Sequence, residues 1–283
     1  MIRQFAAFQS APQLAISEFQ VAGTVYSHFA IKDLRSGIIG QGDAADRSLA
    51  QTKAVFELIE RTVFEQFSKG KPINSSGWAA HTSIEAARFA AAKEDCERDA
   101  VLISWMLRRS PLIIGELKVE LLSRSFPLLK FGTYGPIAVL GAVIETDKNQ
   151  RMLVSAASDE ISDGISKLSA EAERAALILR TRNHLDDSRL QEHHAVFCAA
   201  NERELSWLYS NGRSEVLRLP GFQYEDFEVP LWDGSTAFVS YARSPELQRL
   251  YWGGNHLGQL NRRRLRSAAN RPFRLNRMAH PIL

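Results

Sequence analysis

Two matching groups of acidic and basic residues are the strongest chemical signal in this chain. The segment ELIER at residues 57–61 recurs 37 residues later as EDCER at residues 94–98. Residues three apart share one face of a helix, so each segment presents two carboxylates together, with an arginine about one turn from the first. Crowded carboxylates are costly unless a cation compensates them, and Mg²⁺ prefers such oxygen ligands and commonly shares them with phosphates. Two such helices packed side by side predict a nucleotide–magnesium site, with arginine suited to the phosphate oxygens.

The same pattern also occurs on ordinary surface helices. There the glutamates and arginines form solvated ion pairs that contribute little to stability. A second copy of the pattern weighs against that interpretation, but the residues by themselves leave both interpretations open.

Long helices are predicted to carry the two motifs. Aspartate or serine caps and apolar residues at helical spacing indicate where they begin and end. The turn-like, Gly-rich residues 36–46 precede the first helix, and a basic, irregular tail closes the chain. The predicted helices run from Asp46 or Ser48 to about Phe67, from Thr82 or Ser83 to about Leu107, over Asp159–Arg182 and around Asn201–Tyr209; predicted strands lie around Ala15–Val25, over Leu112–Leu122 and Pro136–Ile144, and within 216–243.

Composition limits the class of protein. With 45% hydrophobic and 24% charged residues, the chain has an ordinary globular composition, and no Pro/Ser-rich linker divides it. We therefore predict a single domain of mixed α and β elements over residues 1–283. A net charge of +3 is too small to indicate a nucleic-acid partner. No signal peptide and no apolar run of about 20 residues is evident, which predicts a cytoplasmic protein with no membrane role.

Other residues also have side chains or backbone suited to chemistry. Gly40 and Gly42 would let backbone amides approach a phosphate, or they simply form a turn. Cys96 is expected to pack in the core, because no activating base is evident. No Asp or Glu follows Glu246, whereas eight arginines do, which suggests a docking surface for an acidic partner or leader; the alternatives are a lining for the nucleotide pocket or a solvated segment. A polar cluster matches no metal-binding spacing and is interpreted as a solvated loop: His184, Asp186, Asp187, His193 and His194.

Residues 74–105 (NSSGWAAHTSIEAARFAAAKEDCERDAVLISW) resemble the central signature of the YcaO-like family. Residues 40–61 (GQGDAADRSLAQTKAVFELIER) are similar to its first signature, a Gly-Lys-Gly-type loop and a helix ending in Glu-x-x-Glu-Arg. Residues 158–176 resemble a third element, and SPELQRLYWGG a late strand-and-turn region. The resemblance spans about residues 36–260 and leaves a basic C-terminal tail at about 261–283.

This resemblance implies an α/β mixed (α+β) YcaO-like fold, with paired motif-bearing helices packed on a β-sheet. It also implies binding of ATP and Mg²⁺, and ATP-dependent activation of peptide backbone amides during synthesis of a ribosomally made, modified peptide. Azoline formation by cyclodehydration is the expected reaction. The implied nucleotide-binding positions are Gly40, Gln41, Gly42, Lys53, Glu57, Arg61, Ser76, Glu97, Arg98, Glu171 and Arg174, and the implied metal ligands are Glu57, Glu60, Glu94 and Glu97; no catalytic residue is assigned.

Four positions depart from the family's pattern. Gln41 replaces a lysine in the phosphate loop, Lys53 replaces a small hydroxyl residue, Ala86 stands beside a displaced acidic residue, and Arg174 replaces a glutamine. Gln41 and Lys53 favour an alternative, a non-catalytic nucleotide-binding or scaffolding subunit, whereas the retained glutamates and arginines favour the enzyme. A thioamide-forming enzyme is a further alternative.

The expected partners follow from the family and from the chain length. They are a precursor peptide and a separate leader-binding protein, because 283 residues leave no room for a fused leader-binding domain. A flavin dehydrogenase in the same complex is also expected, and homo-oligomerisation is left open. The isolated chain is therefore expected to show little peptide-modifying activity.

Overall fold

The computed structural model describes most of the chain as two compact units, each built from separate segments. The described residues are 2–4, 13–20, 26–71, 74–147, 150–181, 197–198, 200, 202–251, 259–269, 274–276 and 280. Unit 1 comprises Met1–Asp95 and Gly221–Ser244, and unit 2 comprises Cys96–Pro220 and Pro245–Leu283. The single domain over residues 1–283 therefore stays a prediction.

Runs of mostly antiparallel strands are separated by helices, as in an α+β protein. The strands are β1 Ile2–Gln4, β2 Leu14–Gln20, β3 Ser27–Asp33, β4 Ile39–Ala44, β5 Trp78–His81, β6 Leu112–Val119, β7 Arg124–Tyr134, β8 Ile137–Glu145, β9 Arg151–Ser158, β10 Glu215–Leu217, β11 Gln223–Pro230 and β12 Thr236–Arg243. The helices are α1 Arg47–Ser68, α2 Ile84–Leu107, α3 Ile161–Thr181, α4 Glu202–Tyr209 and α5 Arg262–Ala268, with a 3₁₀ turn at Glu120–Leu122. No helix in the described part of the chain is long and apolar enough to cross a membrane.

Unit 1 contains two sheets. One has the strand order β1-β11-β12-β5, with β1 and β11 parallel and the other pairs antiparallel. The other is the antiparallel sheet β2-β3-β4. Helix α1 packs against both, through Ala50, Ala54 and Leu58 on the smaller sheet and through Ile59 and Val63 on the larger one.

The motif helices occupy opposite faces of the β1-β11-β12-β5 sheet. Trp78 and Tyr241 belong to the apolar cluster that contains α1, whereas their neighbours Ala79 and Ala242 pack with Ala91 of α2. Successive residues of a strand point to opposite faces, so α1 and the N-terminal half of α2 enclose the sheet between them. The prediction that both helices pack on a sheet is confirmed. The prediction that the two helices pack side by side is wrong. Both faces of this sheet are apolar, and each is covered by a different helix.

Unit 2 is built on one sheet of five strands with α3 packed on it. The order is β10-β7-β8-β9. Strand β6 also pairs with β7, over residues 124–130, whereas β10 pairs with residues 132–134. Strands β8 and β9 are almost continuously buried, and their side chains pack with Leu168, Ala172, Ala175, Ala176 and Leu179 of α3. Strand β10 is a short edge strand parallel to β7.

The predicted helices α1, α2 and α3 are confirmed, and their predicted ends lie within two residues of the observed ones. Asp46 caps α1, accepting from the Leu49 N–H at 2.7 Å, and the Ser83 hydroxyl accepts from the Ala86 N–H at 3.2 Å. Two other predictions were wrong. The Gly-rich residues 39–44 form a strand rather than a turn, and the basic tail contains helix α5. Strands β1, β3, β5, β7 and β9 were not predicted.

Candidate functional site

Two glycines hold α1 unusually close to β4. A Cβ atom on Gly40 would lie 2.2 Å from the Ala54 carbonyl oxygen, and one on Gly42 would lie 1.9 Å from the Ala50 carbonyl oxygen. No side chain fits at such distances, so the helix and strand backbones meet directly. Gly40 and Gly42, predicted as phosphate-loop residues, serve here to bring the first motif onto β4.

This close approach joins three predicted site residues. The Gln41 N–H donates to Glu57 Oε2 at 2.7 Å, and the Arg61 guanidinium pairs with Glu57 Oε1. Lys53 directs its ammonium group to the Asp43 carbonyl oxygen at 2.9 Å. Gln41, Glu57 and Arg61 therefore form one polar group, in which Glu57 is half-buried and Arg61 is half-exposed.

The second motif begins in the same way. The Trp78 N–H donates to Glu94 Oε2 at 3.1 Å, beside the turn that contains Ser76. Gly77 adopts φ +76°, where a Cβ would lie 2.3 Å from the Ala242 carbonyl oxygen. That contact, with the Ala242 N–H donating to the Gly77 oxygen at 2.7 Å, fixes the turn against β12. Glycine is required because other residues rarely adopt positive φ.

The structure extends the sequence repeat into a repeated strand–helix unit. Gly40, Gln41, Asp46 and Glu57 each have an equivalent 37 residues later, in Gly77, Trp78, Ser83 and Glu94. Each pair has the same role: a glycine at a close contact, a strand N–H bound by the motif glutamate, a helix cap, and that glutamate. The first glutamate of each motif thus anchors its helix to its own strand. In the sequence only the motif residues of the repeat are recognisable, because the strand halves of the two copies differ in side-chain type.

The remaining motif glutamate of α2, Glu97, belongs to unit 2. Its oxygens accept from the Ser155 hydroxyl at 2.7 Å and from the Ala157 N–H at 3.0 Å, both on β9. Burial raises the pKa of the Glu97 carboxyl group, and the positive charges of Arg98 and Lys167 only partly offset that effect. Glu97 and Glu94 still share one face of α2, being three residues apart.

Lys167 is a basic residue that the sequence analysis missed. It acts electrostatically on Glu97, as does Arg98. The predicted residues Glu171 and Arg174 follow it at four and seven residues along α3, so all three share one helix face. All three are half-buried. The spacing of four and seven residues could have identified Lys167 from the sequence, because it places Lys167, Glu171 and Arg174 on one polar face of α3.

Other predicted residues have simpler placements. Glu60 is half-buried on α1, and Cys96 is fully buried, which confirms its predicted place in the core. The acidic and histidine cluster at 184–194 lies outside the described residues.

The carboxylates do not form a metal site by themselves. Among the described residues, no three His, Cys, Asp or Glu side chains are close enough together to hold a metal ion. The assignment of Glu57, Glu60, Glu94 and Glu97 as metal ligands therefore stays a prediction.

Ser76 lies in the turn before β5, two residues ahead of the Trp78 N–H that Glu94 binds. Its side chain is fully buried, and its hydroxyl has no hydrogen-bond partner within the part of the chain that the structure describes. Buried hydroxyl groups are nearly always hydrogen-bonded, so an unpaired one is suited to a ligand atom. The nucleotide-binding role of Ser76 stays a prediction.

Helix α5 requires a correction to the predicted basic tail. Arg264 is buried rather than solvated; its guanidinium bonds Asp99 Oδ2 at 2.9 Å and Glu215 Oε2 at 2.7 Å. Asp99 follows the second motif directly, and it also accepts from the Tyr134 hydroxyl and from the Gln248 N–H. Arg264 therefore fixes the end of the motif within unit 2 and does not belong to a docking surface.

Comparison with solved structures identifies the fold. Structures similar to this chain include YcaO from Methanopyrus kandleri bound with AMPPCP and Mg²⁺ (14% identity, TM-score 0.60, covering 81% of this chain and 84% of that one). Another is the E. coli microcin synthetase McbBCD complex with pro-MccB17 bound (11% identity, TM-score 0.64, 87% and 91%). A heterocyclase in complex with substrate and cofactor is also similar (10% identity, TM-score 0.60, 83% and 49%).

The chain has a YcaO-like fold. The predicted α+β class and the fold implied by the resemblance are therefore confirmed. No protein-family model and no curated protein sequence matches the chain. At 10–14% identity the YcaO-like fold is preserved while most side chains differ, so the role of each site residue has to be argued from this chain.

Proposed function

We propose that this chain is a YcaO-type enzyme that binds ATP with Mg²⁺ and activates backbone amides of a ribosomally made peptide. Azoline formation is the proposed reaction. The observation that carries the proposal is the repeated strand–helix unit, which binds the Glu94 carboxylate to the Trp78 N–H at the start of β5. Two residues earlier lies Ser76, whose buried hydroxyl has no hydrogen-bond partner among the described residues. The YcaO-like fold supports it, because a protein of that fold binds AMPPCP and Mg²⁺.

When bound, ATP and Mg²⁺ would supply the phosphoryl group and neutralise its charge. The chain's residues would bind and orient them. Glu94 and Glu97 are the proposed carboxylate ligands on one face of α2, and Ser76 is a proposed hydrogen-bond donor. Arg61 and Arg98 are proposed to contact phosphate oxygens, where a planar guanidinium offers paired donors. Positioning and charge compensation are the main contributions a protein makes to phosphoryl transfer.

Magnesium-dependent nucleotide binding is the first test. Glu94→Gln keeps a side-chain oxygen for the Trp78 N–H but removes the negative charge, so the helix anchor survives while a metal ligand is lost. We expect Mg²⁺-dependent AMPPCP binding, measured by calorimetry, to weaken about tenfold or more in this variant. The matched control is Glu85→Gln, at an exposed position in the first turn of the same helix, which should bind as the wild type does.

Two results would contradict the assignment. One is AMPPCP binding that does not require Mg²⁺. The other is a Glu94→Gln variant that binds like the Glu85→Gln control while Glu94→Ala loses stability, because that pattern assigns Glu94 a purely structural role.

A nucleotide-binding subunit without turnover is the second candidate. Gln41 stands where the family has lysine, and Lys53 directs its ammonium group to the Asp43 carbonyl oxygen. Release of inorganic phosphate in the presence of a peptide substrate distinguishes the two: the enzyme turns ATP over, and the scaffolding subunit only binds it. A thioamide-forming enzyme would consume ATP equally but incorporate sulfur, which mass spectrometry detects.

A further inference from the structure

A cavity of about 500 Å³ lies in unit 2, and α5 forms part of its wall. Its lining includes the apolar Leu217, Pro220 and Pro245. It also includes the charged side chains of Arg218 and Arg263. None of the residues predicted from the repeat lines it. Proline and leucine beside arginine favour a ligand that is itself partly apolar and partly anionic.

The charged residues that line this cavity are mostly basic. Arg264, at its wall, is buried and already bound by Asp99 and Glu215. Arg263 is exposed, and Arg218 is 84% exposed. Among the described residues that line the cavity, Glu246 supplies the one carboxylate, and it pairs with Arg218 at 3.0 Å. An incoming carboxylate can therefore replace Glu246 on Arg218 and also reach Arg263.

Strand β10 borders the cavity and has an outer edge. It pairs with β7 on one side, and within the described part of the chain no strand pairs with its other side. The Gly135 N–H donates to the Leu217 carbonyl oxygen, so Leu217 faces β7. Backbone groups alternate in direction along a strand, so the N–H and C=O of Val216 point outward. Its side chain is 80% exposed.

We propose that the cavity and the outer edge of β10, together the β10 cleft, bind an extended acidic segment of the peptide substrate. The segment adds to β10 through the Val216 backbone groups, as extended peptides add to exposed sheet edges. Its acidic side chains pair with Arg263 and Arg218, and its apolar side chains contact Leu217 and Pro245. That the bound segment belongs to the peptide substrate rests on the proposed function. The site itself rests on the charge of the cavity and on the outer edge of β10.

The test uses a fluorescein-labelled synthetic peptide of about six residues in which Glu and Val alternate, a length typical of a strand. Fluorescence anisotropy with the full chain measures its affinity. Arg263→Glu and Arg218→Glu should each weaken binding about tenfold, and Glu246→Gln should strengthen it, because it removes the competing carboxylate. The matched control is Arg262→Glu, on the same helix and exposed but outside the cavity lining, which should change the affinity less than about threefold.

A backbone variant tests the strand edge separately. Val216→Pro removes an outward N–H that makes no bond to β7, so the sheet should persist while the peptide loses a partner. Thermal unfolding of this variant establishes that it folds. A peptide with Gln in place of Glu should bind about tenfold more weakly to the wild type.

Three outcomes would overturn the assignment. They are equal binding of the Glu and Gln peptides, equal losses for Arg262→Glu and Arg263→Glu, and full displacement of the peptide by an equimolar single-stranded DNA oligonucleotide. The same variants report on the proposed function independently. Mg²⁺-dependent AMPPCP binding should be unchanged in Arg263→Glu. Failure of the wild type to bind AMPPCP would contradict the proposed function but not peptide binding at the β10 cleft.

Discussion

At the scale of single residues, the buried ion-pair network of Arg264 adds a feature that the motif alone does not contain. A buried arginine with one carboxylate partner would be costly to desolvate, but here it has two, Asp99 and Glu215, and Arg109 joins Glu215 at 3.2 Å. Burial raises the pKa of Asp99, and Arg264 opposes that rise. The network therefore couples the residue after the second motif to helix α5 and strand β10 within unit 2.

Glu215 gives this network a measurable pH dependence. Burial acts to raise its pKa, but the bonds from Arg264 and Arg109 outweigh it and hold the pKa below 4.5, the ordinary value. Because the folded-state pKa is the lower one, ionised Glu215 stabilises the fold above that ordinary value and loses this effect as the pH falls. Glu215→Gln should lower the free energy of unfolding at pH 7 by about 1–3 kcal/mol.

Urea unfolding at a series of pH values measures this difference. It should be full at neutral pH and shrink as the pH is lowered below 4.5. Glu65→Gln, at an exposed position of α1, is the control and should leave stability nearly unchanged. A Glu215→Gln deficit that stays constant down to acidic pH would show that charge is not the source of the effect.

At the scale of elements, the approach of α1 to β4 determines where the first motif lies. Gly42→Ala would place a methyl group 1.9 Å from the Ala50 carbonyl oxygen and 2.5 Å from the Ala54 nitrogen, both backbone atoms that cannot turn aside. We expect a loss of about 2 kcal/mol or more in unfolding free energy, because the helix must move off the strand. Calorimetric unfolding measures it.

Ser48→Ala is the matched control for this variant. It makes a change of similar size at an exposed position in the first turn of α1, and its effect should be within about 0.5 kcal/mol. If Gly42→Ala proves as stable as that control, the close contact does not constrain the site.

The same elements show how far the sequence predicts the fold and the site. Helices α1, α2 and α3 were predicted nearly in full, because caps and apolar periodicity are local signals. Strand β4 was predicted as a turn, because Gly40 and Gly42 are typical of turns, whereas here they serve a contact with residues eight or more positions away. The opposite placement of α1 and α2 depends on β11 and β12, which local patterns do not connect to either helix.

The site was predicted in part for a related reason. The motif glutamates were found because they repeat, and the bonds of Glu57 and Glu94 to strand N–H groups show a shared anchoring role that no local pattern contains. Arg264 was counted with its exposed neighbours, since the sequence gives no sign of Asp99, 165 residues earlier. Long-range pairing of this kind becomes visible only when the fold is known.

At the scale of the whole molecule, the proposal is that the chain works with partners. We expect the isolated chain to convert little of a precursor peptide, and addition of a leader-binding partner to restore conversion. Holding a flexible peptide at the site requires binding energy from contacts distant from the reacting amide.

Mass spectrometry of the precursor measures this, with loss of one water for each azoline ring. The control adds the partner to the Arg263→Glu variant, which separates binding of the peptide by the partner from binding at the β10 cleft. Complete conversion by the chain alone would exclude the need for a partner.

The discontinuous unit 1 has a consequence for the order in which this protein is made. Strand β5 and Trp78 pair with β12, which begins at Thr236, so the sheet cannot close while residues 96–220 are being synthesised. At a typical ribosomal rate this interval lasts on the order of ten seconds. Throughout it the apolar side chains of α1 that later cover β11 and β12 have no sheet to cover. The newborn N-terminal segment is therefore a natural client for chaperones at the ribosome.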